Sequence, residues 1–389
     1  MGNPGRLAPI VGDASGAVAD LGVLVPIATA LILKNGLDAG TVLVGVGALY
    51  LAAGLYFRVP VPVQPIKAAA AIAIARDLSP ATISAAGVVL GLTLIVLSTT
   101  GAARWLSRIF TTPIVRGLQF GVGLLLVSSA LGLPARPVPP ATWAAAAACA
   151  GILVLAARRR NWPLALVLVA GGVAWSLVTG AHAIVLRPDA WQPGISGNVF
   201  SSSVLWSAFT VLVIPQIPLT FGNAVIAVVD VEHRYFGTSA RRVTPAGIGL
   251  SCGIANVAAG SLGGMPMCHG SGGLTAHYRG GARSYRMNLF IGVPLLILGL
   301  GFGATAFSVL ALIPVAVLVG LLAFTGVMHA LLVVDLRGFE LGVAVAMGVI
   351  GVWTSNLAIA LAVGLTLVWL PAIARRMRRH VESSRRAVQ

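Results

Sequence analysis

The chain has 389 residues, of which 58% are hydrophobic and 9% are charged, and its formal net charge is +16. An ordinary soluble domain carries roughly 25% charged residues, so this composition excludes a water-soluble globular protein. A spanning helix takes about 20 mostly apolar residues, and the length therefore has room for roughly 12 to 14 crossings joined by short loops.

Apolar runs between helix-breaking residues predict an all-α polytopic membrane protein of about 14 transmembrane segments. A β-barrel is disfavoured because the runs are long and unbroken rather than alternating. The cysteines, Cys149, Cys252 and Cys268, lack paired spacing, so we expect no disulfide, metal or cofactor. In chain order the predicted spans are 14–33, 38–57, 64–76, 81–101, 113–132, 140–157, 162–180, 204–229, 244–260, 267–278, 286–304, 306–329, 338–354 and 356–372.

The basic residues are unevenly divided between the loops that join these spans. If the N-terminus is cytoplasmic, 21 of the 26 Lys and Arg residues fall on the cytoplasmic side, four fall on the other side, and Lys67 lies inside a span. This split follows the positive-inside rule and predicts a multi-pass protein of the cytoplasmic (inner) membrane with both termini in the cytoplasm. The net charge then reflects topology and contact with anionic membrane lipid, and no nucleic-acid partner is expected.

The predicted spans divide into two halves of equal number. The first half covers 1–180, the longest polar connection covers 181–203, the second half covers 204–372, and a basic tail follows at 373–389. Seven crossings in each half make the halves insert in opposite orientations, which is the arrangement of a 7+7 inverted repeat.

The third and tenth spans are the least helix-like in the chain and occupy matching positions in the two halves. Residues 58–67 alternate proline with valine before an alanine-rich run, and residues 260–273 are rich in glycine before a short apolar run. Alternating prolines and β-branched residues favour extended backbone, and a proline often marks a helix start. Each span is therefore predicted as an extended segment followed by a half-helix, a pattern that points to a transporter's central site.

Five motifs stand out along the chain: ADLG at 19–22, VPVQPIK at 61–67, PIVRGLQ at 113–119, PQIPLTFGNA at 215–224 and PMCHGSGGL at 266–274. Together they resemble the molybdate transporters related to the sulfate permeases, and the resemblance covers nearly the whole chain. It implies a core domain of 14–101 and 204–304 and a gate domain of 113–180 and 306–372. In contrast to many sulfate permeases, no cytoplasmic STAS domain is expected after the tail.

The chemistry of such a site points independently to an anion. Each half-helix amino terminus carries about +0.5 elementary charge and exposes unpaired backbone donors, so two of them with Lys67 supply about +2. A tetrahedral dianion suits that field, and neutral donors complete its hydrogen-bonding shell. We expect substrate contact from Gln64, Pro65, Lys67, Thr220, Asn223, Met267, Cys268, His269, Gly270 and Ser271.

Several of these residues have a structural alternative. For Lys67 the alternatives are snorkelling to the membrane interface or an ion pair with Asp20. For Gln64 the alternative is capping of the half-helix, and for Cys268 it is simple packing. His269 has the alternative of a hydrogen bond at the helix start. A coupling role or a structural role is open for Asp20, Gln216, Asp230 and Glu232.

The sequence thus predicts a secondary-active oxyanion transporter, not an enzyme, with molybdate as the first candidate and sulfate or tungstate as alternatives. A nucleobase–proton symporter would share the architecture but would need carboxylates where this chain offers Asn223 and His269. A membrane enzyme would depend on Cys268 and His269, which point in different directions at a helix start. Coupling to protons or sodium ions and formation of a homodimer are left open.

Overall fold

A computed structural model describes residues 4–101, 109–134, 137–157, 164–180, 186–194 and 198–371. The predicted tail at 373–389 and parts of the connection 181–203 lie outside these ranges, as do the side chains of residues 4–9, 156–157, 164–166 and 222–223. The elements of the described chain are almost entirely helical, with one short pair of buried strands.

The first half of the described chain contains eight α-helices and one strand. Its elements are α1 (Pro4–Ala17), α2 (Leu21–Asn35), α3 (Ala39–Phe57), β1 (Gln64–Pro65), α4 (Lys67–Ala75), α5 (Pro80–Thr100), α6 (Thr112–Leu131), α7 (Pro140–Ala157) and α8 (Leu164–Thr179).

The described part of the second half contains ten α-helices and the partner strand. Its elements are α9 (Ser202–Ser207), α10 (Ile214–Leu219), α11 (Ala227–Phe236), α12 (Pro245–Ser261), β2 (Met267–Cys268), α13 (Ser271–Arg279), α14 (Arg286–Phe302), α15 (Phe307–Leu310), α16 (Val315–Ala330), α17 (Gly338–Trp353) and α18 (Leu357–Pro371). Two π-helical segments, Ala208–Val213 and Thr220–Ile226, join α9 to α10 and α10 to α11.

Seven helical stretches of the described residues are long and apolar enough to cross a membrane, and an eighth crossing is reached if one bent pair counts as a single span. That pair, Ala224–Ala240 and Pro245–Ser261, bends by 105°. Four further apolar helices are shorter, at 10–17 residues. The protein is therefore an all-α polytopic membrane protein.

Local sequence signals define many of the helix ends. The Asp38 carboxylate accepts a hydrogen bond from Thr41 N at 2.7 Å and so caps the start of α3. Ser79 and Thr244 cap α5 and α12 in the same way, each followed by a proline in the first turn. These side chains satisfy backbone donors that a helix leaves unpaired at its start.

Three predicted spans differ from the observed elements. The span predicted at 306–329 is divided, because α15 continues the stretch that starts at Arg286 and α16 begins only at Val315, after a turn. The span predicted at 14–33 is broken between α1 and α2, where Asp20 stands at the N-cap of α2 and directs its carboxylate to Gln64. The span predicted at 204–229 runs on to Phe236 and contains the two π-helical segments. Pro215 and Pro218 lack the backbone N–H that an α-helix needs, which accounts for the irregular hydrogen bonding around them.

Glycines allow the closest helix contacts. A Cβ at Gly123 of α6 would lie 2.5 Å from Gly326 O on α16, and one at Gly91 of α5 would lie 2.6 Å from Gly253 O on α12. The main packed pairs are α5 with α12, α3 with α14, and α6 with α16 and α17. Small residues at such crossings let backbones approach closely, as is usual in membrane bundles.

Candidate substrate-binding site

The two short strands come one from each half of the chain and pair with each other. β1 and β2 pair antiparallel, with Gln64 opposite Cys268 and Pro65 opposite Met267. Each strand is followed at once by a nine-residue helix, α4 or α13. Both helices therefore begin at this strand pair, so their amino termini lie near one another.

Two buried asparagines hold the extended backbone on either side of this strand pair. Asn256 accepts a hydrogen bond from Met267 N at 2.7 Å and donates to Met267 O at 2.6 Å. Asn288 accepts from Val61 N at 3.0 Å and donates to Val61 O at 2.7 Å. Non-helical backbone at membrane depth needs such partners because no water is present to satisfy it.

A chain of hydrogen bonds joins Lys67, Gln64 and Asp20. Lys67 Nζ donates to Gln64 Oε1 at 2.7 Å, and Gln64 Nε2 donates to Asp20 Oδ2 at 2.5 Å. An ammonium can only donate and an ionised carboxylate accepts, so this chain fixes the orientation of the Gln64 amide. Gln64 thus separates the two charged groups that the sequence analysis considered as a direct ion pair.

Gly270, the N-cap of α13, lies against this chain. A Cβ at Gly270 would overlap Oε1 of the Gln64 side chain and would lie 3.6 Å from Lys67 Nζ. One turn further on, a Cβ at Gly273 would lie 2.5 Å from Asp20 Oδ2 and 2.6 Å from Gln64 Nε2. The absence of side chains at these two positions allows the start of α13 to approach Lys67.

A small cavity opens beside Lys67, with a volume of about 30 Å³. This is roughly two to three times the 10–15 Å³ that a single water molecule requires by the same kind of measure. The lining residues come from both halves of the chain and include no carboxylate: Lys67, Ala68, Gln119, Val122, Gln216, Leu219, Thr220, Ala224, Cys268 and His329.

The polar side chains of the lining are arranged mainly as donors. Gln119 Oε1 accepts from Arg116 Nη1 at 3.0 Å, and Gln216 Oε1 accepts from Ala69 N at 3.2 Å. Both amide oxygens are therefore engaged, which leaves amide N–H groups for other partners. Thr220 Oγ1 accepts from Gln216 Nε2 at 2.9 Å and keeps its own hydroxyl hydrogen.

The electrostatics of the cavity favour an anion. Lys67 is the first residue of α4 and Ala68 lies in the same first turn, where a helix carries about +0.5 elementary charge. Lys67 has three N–H donors, one of which goes to Gln64. A ligand in the cavity therefore meets a positive charge and several N–H or O–H donors.

The structure brings together some of the residues predicted for the site and separates others. Lys67, Thr220 and Cys268 line the cavity, as does Gln216, and Gln64 contacts Lys67 directly. Pro65 and Met267 form the strand pair, while Ser271 begins α13. The side chain of Asn223 lies outside what the structure describes.

His269 lies away from the cavity, fully buried between the two halves of the chain. Its Nδ1 donates to Pro62 O at 2.8 Å, and its Nε2 accepts from Ser251 Oγ at 2.9 Å. Both ring nitrogens are thus engaged by the scaffold.

The remaining acidic candidates stand in different surroundings. Asp230 forms an exposed ion pair with Arg234 at 3.0 Å. Glu232 is fully buried, and neither carboxylate oxygen has a hydrogen-bond partner among the described residues. Neither residue lines the cavity.

Two polar residues of the lining, Gln119 and His329, were not singled out as site residues by the sequence analysis. Gln119 ends the PIVRGLQ motif at 113–119, which was noted only as part of the resemblance. His329 lies near the end of α16, where its Nδ1 donates to Thr325 O at 3.0 Å. A polar residue inside an otherwise apolar span is the signal that identifies both of them.

A polytopic helical fold with two paired strand–helix elements beside a half-buried cation is typical of a membrane transporter. A family model described as "Molybdate transporter of MFS superfamily" matches residues 12–126 and 208–328. The chain belongs to this molybdate transporter family, whose members are transporters and not enzymes.

Individual relatives agree in sequence and in fold. Molybdate transporter 2 of Arabidopsis thaliana is 30% identical, with 85% of this chain and 81% of the relative covered. Molybdate transporter 1 of Chlamydomonas reinhardtii is 26% identical over 87% of this chain and 88% of its own length. Among solved structures, the transmembrane domain of the cyanobacterial bicarbonate transporter BicA has a TM-score of 0.66 at 20% identity, covering 93% of this chain and 98% of that domain. The structure of SLC26A9 has a TM-score of 0.62 at 15% identity, covering 94% of this chain and 66% of that chain.

Proposed function

We propose that this protein is a secondary-active transporter of a tetrahedral oxyanion, with molybdate as its substrate. The observation that carries the proposal is the position of Lys67, which lies at a helix amino terminus in a small cavity without a carboxylate in its lining. Three relatives from Arabidopsis thaliana and Chlamydomonas reinhardtii are named molybdate transporters, which supports this choice over sulfate and tungstate.

The polarity of the cavity argues against a nucleobase substrate. The N–H groups of a nucleobase require acceptors, and no carboxylate lines the cavity. The amide oxygens of Gln119 and Gln216 are already engaged by Arg116 and Ala69. A fully ionised dianion needs donors, and Lys67, the Gln119 amide and the Thr220 hydroxyl supply them in this lining.

The proposed transport cycle is movement of a core domain against a gate domain. The core domain consists of 14–101 and 204–304, and the gate domain consists of 113–180 and 306–372. Helix packing supports this division, because α3 packs with α14 and α5 with α12, whereas α6 packs with α16 and α17. The cavity lies between the two groups, with Lys67, Thr220 and Cys268 on one side and Gln119 and His329 on the other. Relative movement would therefore expose or enclose the anion.

The proposal includes a 7+7 inverted repeat of fourteen segments in the cytoplasmic (inner) membrane with both termini in the cytoplasm. The strand–helix pair from each half supports the repeat, and the uneven division of basic residues supports the orientation. Labelling of cysteines introduced at Gly2 and Gly180 by a membrane-impermeant reagent tests this topology. Labelling from outside the cell is expected at position 180 and not at position 2.

The function is tested with purified protein in liposomes by uptake of radiolabelled molybdate. The chain has two lysines, so Lys34→Ala is a matched control for Lys67→Ala. Lys67→Ala is expected to weaken molybdate binding by well over tenfold, or more than about 1.4 kcal/mol, while Lys34→Ala transports normally. Imposed proton and sodium gradients in the same liposomes identify the coupled ion.

Competition with tungstate, sulfate and uracil defines the substrate class. Tungstate and, more weakly, sulfate are expected to reduce molybdate uptake, and an excess of uracil is expected to leave it unchanged. Uptake of uracil without uptake of molybdate would contradict the oxyanion proposal. Unchanged molybdate affinity in a folded Lys67→Ala protein would place the site elsewhere.

A further inference from the structure

A second and larger cavity forms a groove between α3 and α12, with a volume of about 480 Å³. It extends along α3 from Thr41 to Tyr56, which at 1.5 Å per residue is roughly 22 Å. Its walls are almost entirely aliphatic or small, with Ala48, Ala52 and Ile254 among the exposed lining residues. Ile254, on α12, is 61% exposed.

One end of this groove meets a cluster of three exposed arginines. Arg58, Arg241 and Arg242 line an adjoining cavity together with Thr238 and Ser239. No carboxylate lines that cavity, and no ion pair involves these arginines within the described part of the chain. The cluster is therefore an uncompensated positive site with hydroxyl groups beside it, which suits a phosphate.

The groove and the arginine cluster lie next to each other. Tyr56 lines the groove, and its carbonyl accepts a hydrogen bond from Arg242 Nη1 at 2.8 Å. Gly247 also lines the groove, and a Cβ there would lie 3.5 Å from the ring of Phe57, which lines the arginine cavity. A molecule with a phosphate at one end and a long apolar chain would therefore contact both.

We propose that this combined surface binds an anionic phospholipid, with its phosphate on Arg58, Arg241 and Arg242 and one acyl chain in the groove. The apolar chain distinguishes this ligand from a free phosphate, because the groove lacks polar groups along most of its length. Three arginines without acidic partners favour a lipid with net negative charge over a zwitterionic one, at about 1 kcal/mol per basic residue near a membrane surface.

The floor of the groove lies against the strand that contributes Cys268 to the substrate cavity. Ser251 lines the groove and donates to His269 Nε2, and a Cβ at Gly45 would lie 3.5 Å from the Met267 methyl group. A bound acyl chain therefore packs against residues that support β2. The binding itself does not depend on which anion the protein transports.

The test uses the delipidated, detergent-purified full-length chain and measures thermal stability and lipid retention by native mass spectrometry. Dioleoyl phosphatidylglycerol and dioleoyl phosphatidylcholine have the same acyl chains and differ in net charge. The first is expected to be retained at least tenfold more tightly than the second. Inorganic phosphate at millimolar concentration is expected to give no stabilisation.

Two kinds of variant test the two parts of the surface. The double variant Arg241→Gln with Arg242→Gln is expected to remove most of the preference for phosphatidylglycerol. The control is the double variant Arg279→Gln with Arg337→Gln, which changes two exposed arginines elsewhere and is expected to keep that preference. Ala52→Phe fills the groove and is expected to weaken retention of both lipids, with Ala148→Phe on the exposed face of α7 as its control.

The outcomes separate the proposal from its rivals. Equal retention of both lipids, or an unchanged preference in the arginine double variant, would overturn the headgroup assignment. Stabilisation by inorganic phosphate alone would show a soluble-anion site in place of a lipid site. If Ala52→Phe is not monodisperse, Ala48→Phe replaces it, and full retention in a folded groove variant would overturn the proposal.

Discussion

The close approach of Gly270 to Gln64 gives the sharpest test of the substrate site. Gly270 has φ −102° and ψ 127°, a conformation that alanine also adopts, so Gly270→Ala is not strained by its backbone. The added methyl group would overlap Gln64 Oε1 and force this side chain away from Lys67. Gln64 would then lose its 2.7 Å hydrogen bond from Lys67 and its 2.5 Å hydrogen bond to Asp20.

The size of the effect follows from these hydrogen bonds. A hydrogen bond to a charged group contributes about 1.5–3 kcal/mol, so losing the one that positions Lys67 should weaken molybdate binding by roughly ten- to a hundredfold. Gly272→Ala is the matched control, because a Cβ at Gly272 meets no other atom within 4 Å. Its affinity should stay within about twofold of the wild type, and alanine in a helix should not lower its stability.

Isothermal titration calorimetry with molybdate on both purified variants measures this difference. Size-exclusion chromatography establishes that each variant is monodisperse before titration. The reasoning would be refuted by a Gly270→Ala protein that binds molybdate as tightly as the wild type, or by an equal loss of affinity in Gly272→Ala.

Three further changes test the scaffold by thermal unfolding in detergent. Gly123→Leu should lower the free energy of unfolding by about 1–3 kcal/mol, because a Cβ there would lie 2.5 Å from Gly326 O. Gly151→Leu is its control and should leave the stability unchanged, because a Cβ at Gly151 meets no atom within 4 Å. Asn256→Ala should cost about 1–3 kcal/mol, since it leaves the backbone of Met267 unpaired. Glu232→Met should be at least as stable as the wild type, because it removes a buried carboxyl without a described partner, and a lower melting temperature would contradict this.

The sequence was informative where local chemistry determines structure. Proline and glycine near positions 60–66 and 263–273 indicated extended backbone followed by helix, and the structure has a strand and a short helix at both places. The break at Asp20 was not predicted, and the hydrogen-bond partner of its carboxylate, Gln64, is 44 residues away in the sequence.

The position of Gln119 and His329 in the cavity lining depends on tertiary packing. Gln119 and His329 reach the cavity because α6 and α16 pack closely at Gly123 and Gly326, a contact that no local pattern specifies. The asparagines that hold the strands could not be identified either, since Asn288 binds Val61 across 227 residues. Residue type was enough to single out Lys67 as a cation inside a span, whereas Gln119 and His329 on the opposite side of the cavity were identified only from the fold.

The pairing of β1 with β2 has a consequence for biosynthesis. Ile66 N donates to Pro266 O, and β1 pairs with residues about 200 positions further along the chain. While only the first half has been synthesised, the polar backbone of β1 has no partner strand, and unpaired backbone groups are costly in lipid. We therefore expect the start of α4 to reach its final position only after β2 has left the ribosome. A nascent chain truncated before residue 267 should insert its helices in the membrane but should not form the proposed anion site.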